Sequence, residues 1–182
     1  MTGRRRCARP AVAVVLAVAA AVTGCAAPGR PAAPYGVGPA GEALSAPAGD
    51  VQQAYLAYWD DWLAANRPGG IPPEQLARHA GDPNLSILRA ALADSAKEGH
   101  THTGTVGHRI EGMVADGDLR RIYDCVDLNR WLITDAATGR PVDQAGARPP
   151  QLSVMTLRRI DGDWKVTDIQ KPQDCARSAP QG

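Results

Sequence analysis

Hydrophobic positions along this chain follow three successive rhythms, and each rhythm predicts a different kind of element. Residues 11–22 are almost continuously apolar. From Val51 the apolar residues recur every three or four positions, and beyond Gly99 they alternate. In the middle stretch Val51, Tyr55, Tyr58, Trp59 and Trp62 form a helical stripe, with Asp50 placed to cap its start and Pro68, Gly69 and Gly70 to end it. Pro72 and Pro73 open a short second helix through Glu74, Gln75, Leu76 and Arg78. A third helix is predicted from Leu85, Leu88, Ala91 and Leu92, capped by Asp82 or Asn84 and stopped by Gly99. In the alternating part, Asp116-Gly117 and Asp161-Gly162 each mark a hairpin. Strands are expected over residues 103–115, 119–134, 152–160 and 164–169, with 135–150 as a polar loop. Helices followed by a meandering antiparallel sheet make an α+β domain.

The continuous apolar run has a separate meaning. Arg4, Arg5, Arg6 and Arg9 precede it, it is too short to span a bilayer, and Thr23-Gly24-Cys25 closes it. This is a secretion signal over residues 1–24, and its end resembles a bacterial lipobox. The resemblance implies cleavage before Cys25, a diacylglyceryl group on its sulfur and further palmitate-type acylation. The alternative is an ordinary signal peptide with a cysteine that carries nothing. With the lipid in place, the protein is expected at the cell membrane, anchored on the extracytoplasmic face. Residues 26–50 are nearly all Ala, Pro and Gly, so residues 25–50 read as a lipidated cysteine and a disordered tether. The folded domain is expected over 51–177 and a polar tail over 178–182.

Composition narrows the partners. The 182-residue chain carries a net charge of +1. Arg4, Arg5, Arg6, Arg9 and Arg30 lie outside the expected domain, as do Glu42 and Asp50, which leaves that domain at about −2. A nucleic-acid partner is therefore not expected. Of four cysteines, Cys7 leaves with the signal and Cys25 takes the lipid. Cys125 and Cys175 remain for the domain, and in an exported protein they invite one disulfide. The competing use, a catalytic or metal-binding thiol, has no CxxC spacing to support it.

Candidate chemistry sits on the first hairpin, where the turn type decides which residues meet. A two-residue loop sets Arg109 opposite Asp124 and His108 opposite Cys125. A three-residue loop with Gly117 as a bulge sets Val106 on Val126, Ile110 on Ile122 and His108 on Asp124. The bulged register is preferred, because it collects Val106, Ile110, Val114, Ile122, Val126 and Leu128 on one face and leaves Glu111 beside Arg121 on the other. It pairs His108 with Asp124, an arrangement suited either to acid-base chemistry in a cavity or to a structural buried contact. The aromatic stripe of Tyr55, Tyr58, Trp59 and Trp62 either lines a ligand pocket or packs the core. Asp60 and Asp61 fall off that stripe and read as solvated, and His79 has no evident partner. His100 and His102 begin a metal-ligand spacing, but the sequence identifies no third ligand, so neither a metal nor another cofactor is expected.

Taken with the opening helix through Tyr55, Tyr58, Trp59, Asp60, Asp61 and Trp62, three further segments carry a family resemblance. They are Asp124-Cys125-Val126-Asp127, the stretch from Asp135 through Thr138-Gly139-Arg140-Pro141-Val142, and Asp161-Gly162-Asp163-Trp164. Together they resemble actinobacterial secreted lipoproteins with a nuclear transport factor 2-like (SnoaL-like) domain. The resemblance implies a cone-shaped domain in which three N-terminal helices pack on a curved antiparallel sheet around a cavity. The chain departs from that pattern in showing no strand between its second and third helices. The superfamily contains isomerases, dehydratases, adaptors and proteins without activity, so fold does not choose among them. The reading that follows is a lipid-anchored accessory protein, noncatalytic, which binds a small apolar ligand or an envelope protein. The alternative is an isomerase, dehydratase or hydrolase using His108 and Asp124.

Overall fold

The computed structural model describes residues 35–142, 144 and 146–175, so Cys25 and the expected signal lie outside the described residues. Helix α1 runs over Gly49–Asn66, a 3-10 helix over Pro73–Arg78 and α2 over Asn84–Lys97. Among the described residues seven strands follow: β1 (His100–Gly104), β2 (Gly107–Asp116), β3 (Leu119–Asp127), β4 (Trp131–Asp135), β5 (Gln151–Ile160), β6 (Asp163–Ile169) and β7 (Gln173–Asp174). The larger sheet is antiparallel in the order β2-β3-β5-β6, with β7 pairing the start of β5. The domain is thus α+β, with helices first and an antiparallel sheet after them.

Two expected strands are each broken in two. The hairpin that continues beyond the larger sheet becomes a separate two-stranded sheet, β1 with β4. Gly104 marks the break: its φ is +96°, and a Cβ there would fall 1.8 Å from the Arg130 carbonyl oxygen. Between the second and third helices, where a first strand is missing, a single parallel bridge joins Ala80 to Val166. The backbone of Val166 bonds His79 and Gly81 on either side, so this segment closes the outer edge of β6.

The helices cover one face of the sheet. Val51, Tyr55 and Tyr58 of α1 and Leu88 of α2 pack with Ile122, Met155, Leu157 and Val166 in the main core. Asp50 does not cap α1, because the helix begins one residue earlier. Its carboxylate instead accepts bonds from the Val51 backbone, the Trp164 indole and Arg159. Gly99, at φ +70°, ends α2 as expected.

On the opposite face Leu44, Tyr123, Cys125, Leu152 and Val154 form a second cluster, which overturns part of the tether expectation. Residues 35–50 are not a free linker. Ser45 exchanges both backbone hydrogen bonds with Met113, at 3.0 and 2.9 Å. Leu44 is buried, and Tyr123 donates to Glu42. The apolar outer face of β3 and β5 needs cover, and this small-residue segment supplies it. Composition alone hides that demand, because the surface being covered lies far along the chain.

The register of the first hairpin differs from both expected ones. Asp116 pairs with Leu119, so the loop is Gly117-Asp118, and the bulge falls at Glu111. Gly112 carries that bulge, with φ +148° and the strap so close that a Cβ would meet the Leu44 Cβ at 2.8 Å. His108 consequently faces Val126 directly, and Ile110 faces Asp124. The bulge also sends Val114 to the strap-covered face, correcting its assignment to the helix-facing set. Glu111 pairs with Arg109, not with Arg121, which joins Asp116. The second hairpin turns at Asp161-Gly162 as expected, with φ of 55° and 93°.

Candidate functional site

Asp124 is wholly buried, at 0% exposure, on the helix-facing side of β3. A buried carboxylate needs donors, and three groups on α1 and β2 supply them. The Tyr55 hydroxyl on α1 donates to Oδ2 at 2.6 Å. His108 on β2 approaches the same oxygen through Nδ1 at 2.6 Å. The Arg109 backbone N–H donates to Oδ1 at 2.8 Å. The carboxylate accepts only, so the imidazole proton sits on Nδ1. The predicted His108 and Asp124 pair therefore meets, diagonally across the strands and not in direct opposition. Sequence reasoning missed the third partner, Tyr55, because a hydroxyl in an aromatic core stripe gives no separate signal.

Burial first, and then the Asp124 charge, hold the Tyr55 hydroxyl far above the ordinary phenol range. It stays a donor. Burial pushes Tyr58 up to about 12, partly opposed by the bond from Asn84. Burial, followed by the bond to Glu42, pushes Tyr123 to about 12. Each folded-state value lies above the ordinary one near 10, so the native state favours the protonated phenols. Their contribution is intact below pH 10 and is lost as pH rises toward 12 and beyond. The urea midpoint should hold up to about pH 10 and then fall steeply. Reversible appearance of three phenolates at pH 10 to 11 with an unchanged far-ultraviolet circular dichroism spectrum and urea midpoint would contradict this.

The four aromatic residues expected to line a pocket divide. Trp59 lines a cavity of about 180 Å³ together with Val126, Leu128, Met155 and the Arg148-Pro149 segment. Tyr55 and Tyr58 are buried in the main core. Trp62 packs at the edge of that core, 6.3 Å from the Trp131 ring. Helical spacing places a residue on the buried face without saying whether it meets a void or another side chain. Neither His108 nor Asp124 is among the residues lining the cavity, although Trp59 also packs on the His108 ring at 5.2 Å.

A second polar cluster corrects another expectation. Asp61 is buried and not solvated: Arg78 donates to Oδ1 at 2.6 Å, and His79 Nδ1 lies 2.8 Å from Oδ2. The 3-10 helix packs beside α1 at this level and covers a position that the aromatic stripe does not include. Asp60, one residue earlier, is exposed. His100 and His102 stay on β1, apart from His108 on β2. His100 meets Glu98, and His102 stacks on Trp131 at 4.4 Å. Burial lowers the His102 imidazole below its ordinary range, with His100 adding to the effect. Among the described residues no three His, Cys, Asp or Glu side chains gather as a metal site. Among them, too, no helix is long and apolar enough to cross a membrane.

With the fold and this geometry in place, the chain can be set beside known proteins. No protein-family model matches it, and no curated protein does. Among solved structures it is similar to the intermembrane space region of the chloroplast protein ARC6. The TM-score is 0.53 at 16% identity, over 68% of this chain and 97% of that one. At this identity the likeness concerns the fold alone.

Proposed function

We propose that this chain is a lipid-anchored extracytoplasmic binding protein with a nuclear transport factor 2-like cone, taking a small apolar ligand without transforming it. The observation that carries this reading is the separation of chemistry from cavity. Asp124 is spent on three bonds that tie α1, β2 and β3 together, and the apolar void beside Trp59 is lined by other residues. Export agrees with the Cys125–Cys175 disulfide, a bond suited to oxidising compartments. Anchoring rests on Cys25. Cys25→Ser should release the protein from the membrane fraction or leave its precursor unprocessed, since each buried methylene of an acyl chain contributes about 0.8 kcal/mol to attachment. A variant processed and partitioned as the parent is would end the lipoprotein reading.

One observation favours a second reading, the cavity enzyme. The His108 side chain keeps 19% of its exposure while a buried carboxylate holds its Nδ1, which is how a general base is oriented. Loss of a measured turnover in His108→Gln, with ligand binding retained, would favour the enzyme over the binder.

A further inference from the structure

We propose that the cavity beside Trp59 is a site for a short-chain monocarboxylate, with the alkyl tail inside and the carboxylate on Arg148. This rests on the small-ligand reading above and names the ligand class. Size sets the tail. The void of about 180 Å³ is below the roughly 300 Å³ and upward of drug-sized sites. At about 30 Å³ for a water-sized group it takes around six methylenes.

The polar groups set the head. Ser153 lines the cavity and is only 7% exposed, yet its hydroxyl makes no hydrogen bond among the described residues. A hydroxyl that no side chain or backbone group engages is open to a ligand oxygen, as donor or acceptor. Arg148 is the charged residue of the lining, which contains no Asp or Glu. Its guanidinium has no partner among the described residues. Its backbone is held at both ends by Asn129, which accepts from the N–H at 2.9 Å and donates to the carbonyl at 2.8 Å. These bonds hold the backbone of Arg148 at the cavity lining, and its exposed guanidinium carries a planar fork that matches a carboxylate. Ile169, a lining residue that is 37% exposed, adds apolar surface.

The test is calorimetric titration of the full chain, at low ionic strength, with octanoate and with octanol, which share a tail and differ in charge. Octanoate should bind about tenfold more tightly, the scale of one charge-assisted hydrogen bond. Arg148→Gln should bring octanoate to the octanol level and leave octanol unchanged. Equal binding of the two by the parent overturns the carboxylate assignment while the apolar-ligand reading stands. A preference that survives Arg148→Gln removes Arg148 as the counter-ion. Binding of neither probe overturns the ligand reading itself.

Discussion

Replacing Asp124 by alanine should lower the unfolding free energy by about 3–5 kcal/mol, the range for removing one partner of a buried polar network. The substitution leaves the Tyr55 hydroxyl, the His108 Nδ1 and the Arg109 amide facing a void where a carboxylate stood. Each buried donor left unpaired costs about 1–3 kcal/mol. The Tyr55 hydroxyl cannot turn to water, because Tyr55 is fully buried. Asp124→Asn keeps the volume and two acceptor lone pairs, so it should cost less, about 1–3 kcal/mol. If the binding reading is right, the asparagine variant should be less stable in urea and bind ligand as the parent does. Loss below 1 kcal/mol for the alanine variant would mean that the network ties nothing together.

Opening the Cys125–Cys175 bond, by Cys175→Ser, should cost about 4 kcal/mol in the chain-entropy view. The closed loop spans a sequence separation of 50 residues, and the entropy restored to the unfolded chain grows with its logarithm. Cys175 is the safer partner to replace: Cys125 is buried beneath the strap with Leu44 and Tyr123, and changing it would add a packing loss. The bond also holds the chain just beyond β7, whose two residues pair with β5. Urea unfolding of oxidised parent and variant gives the difference directly. Hydrogen exchange should find the Leu152 end of β5 opening first. A difference under about 1 kcal/mol would show that the bond constrains little.

How far the candidate site could be read before folding is clearest at His108 and Asp124. The expected register was wrong by two residues there, yet both side chains face the helices. A slip of two preserves which face a residue occupies, whereas a slip of one reverses it. The apolar sorting of Val106, Ile110, Ile122 and Val126 contained that parity. It did not contain the bulge at Glu111, since only the strap passing over Gly112 makes a glycine necessary at that point.

The sequence by itself determined the order of helices and hairpins, the buried stripe of α1 and the pair of cysteines left for a disulfide. These follow from spacing and turn chemistry, which act over a few residues. Only the tertiary structure decided that residues 35–50 cover the outer sheet face, that Tyr55 completes the Asp124 network and that Asp61 is buried under Arg78 and His79. It also decided that, of the four stripe aromatics, Trp59 meets the cavity. The physical reason is common to all four. Burial and hydrogen-bond demand are created by surfaces that lie far apart in sequence, so a residue's environment exists only once those surfaces have met.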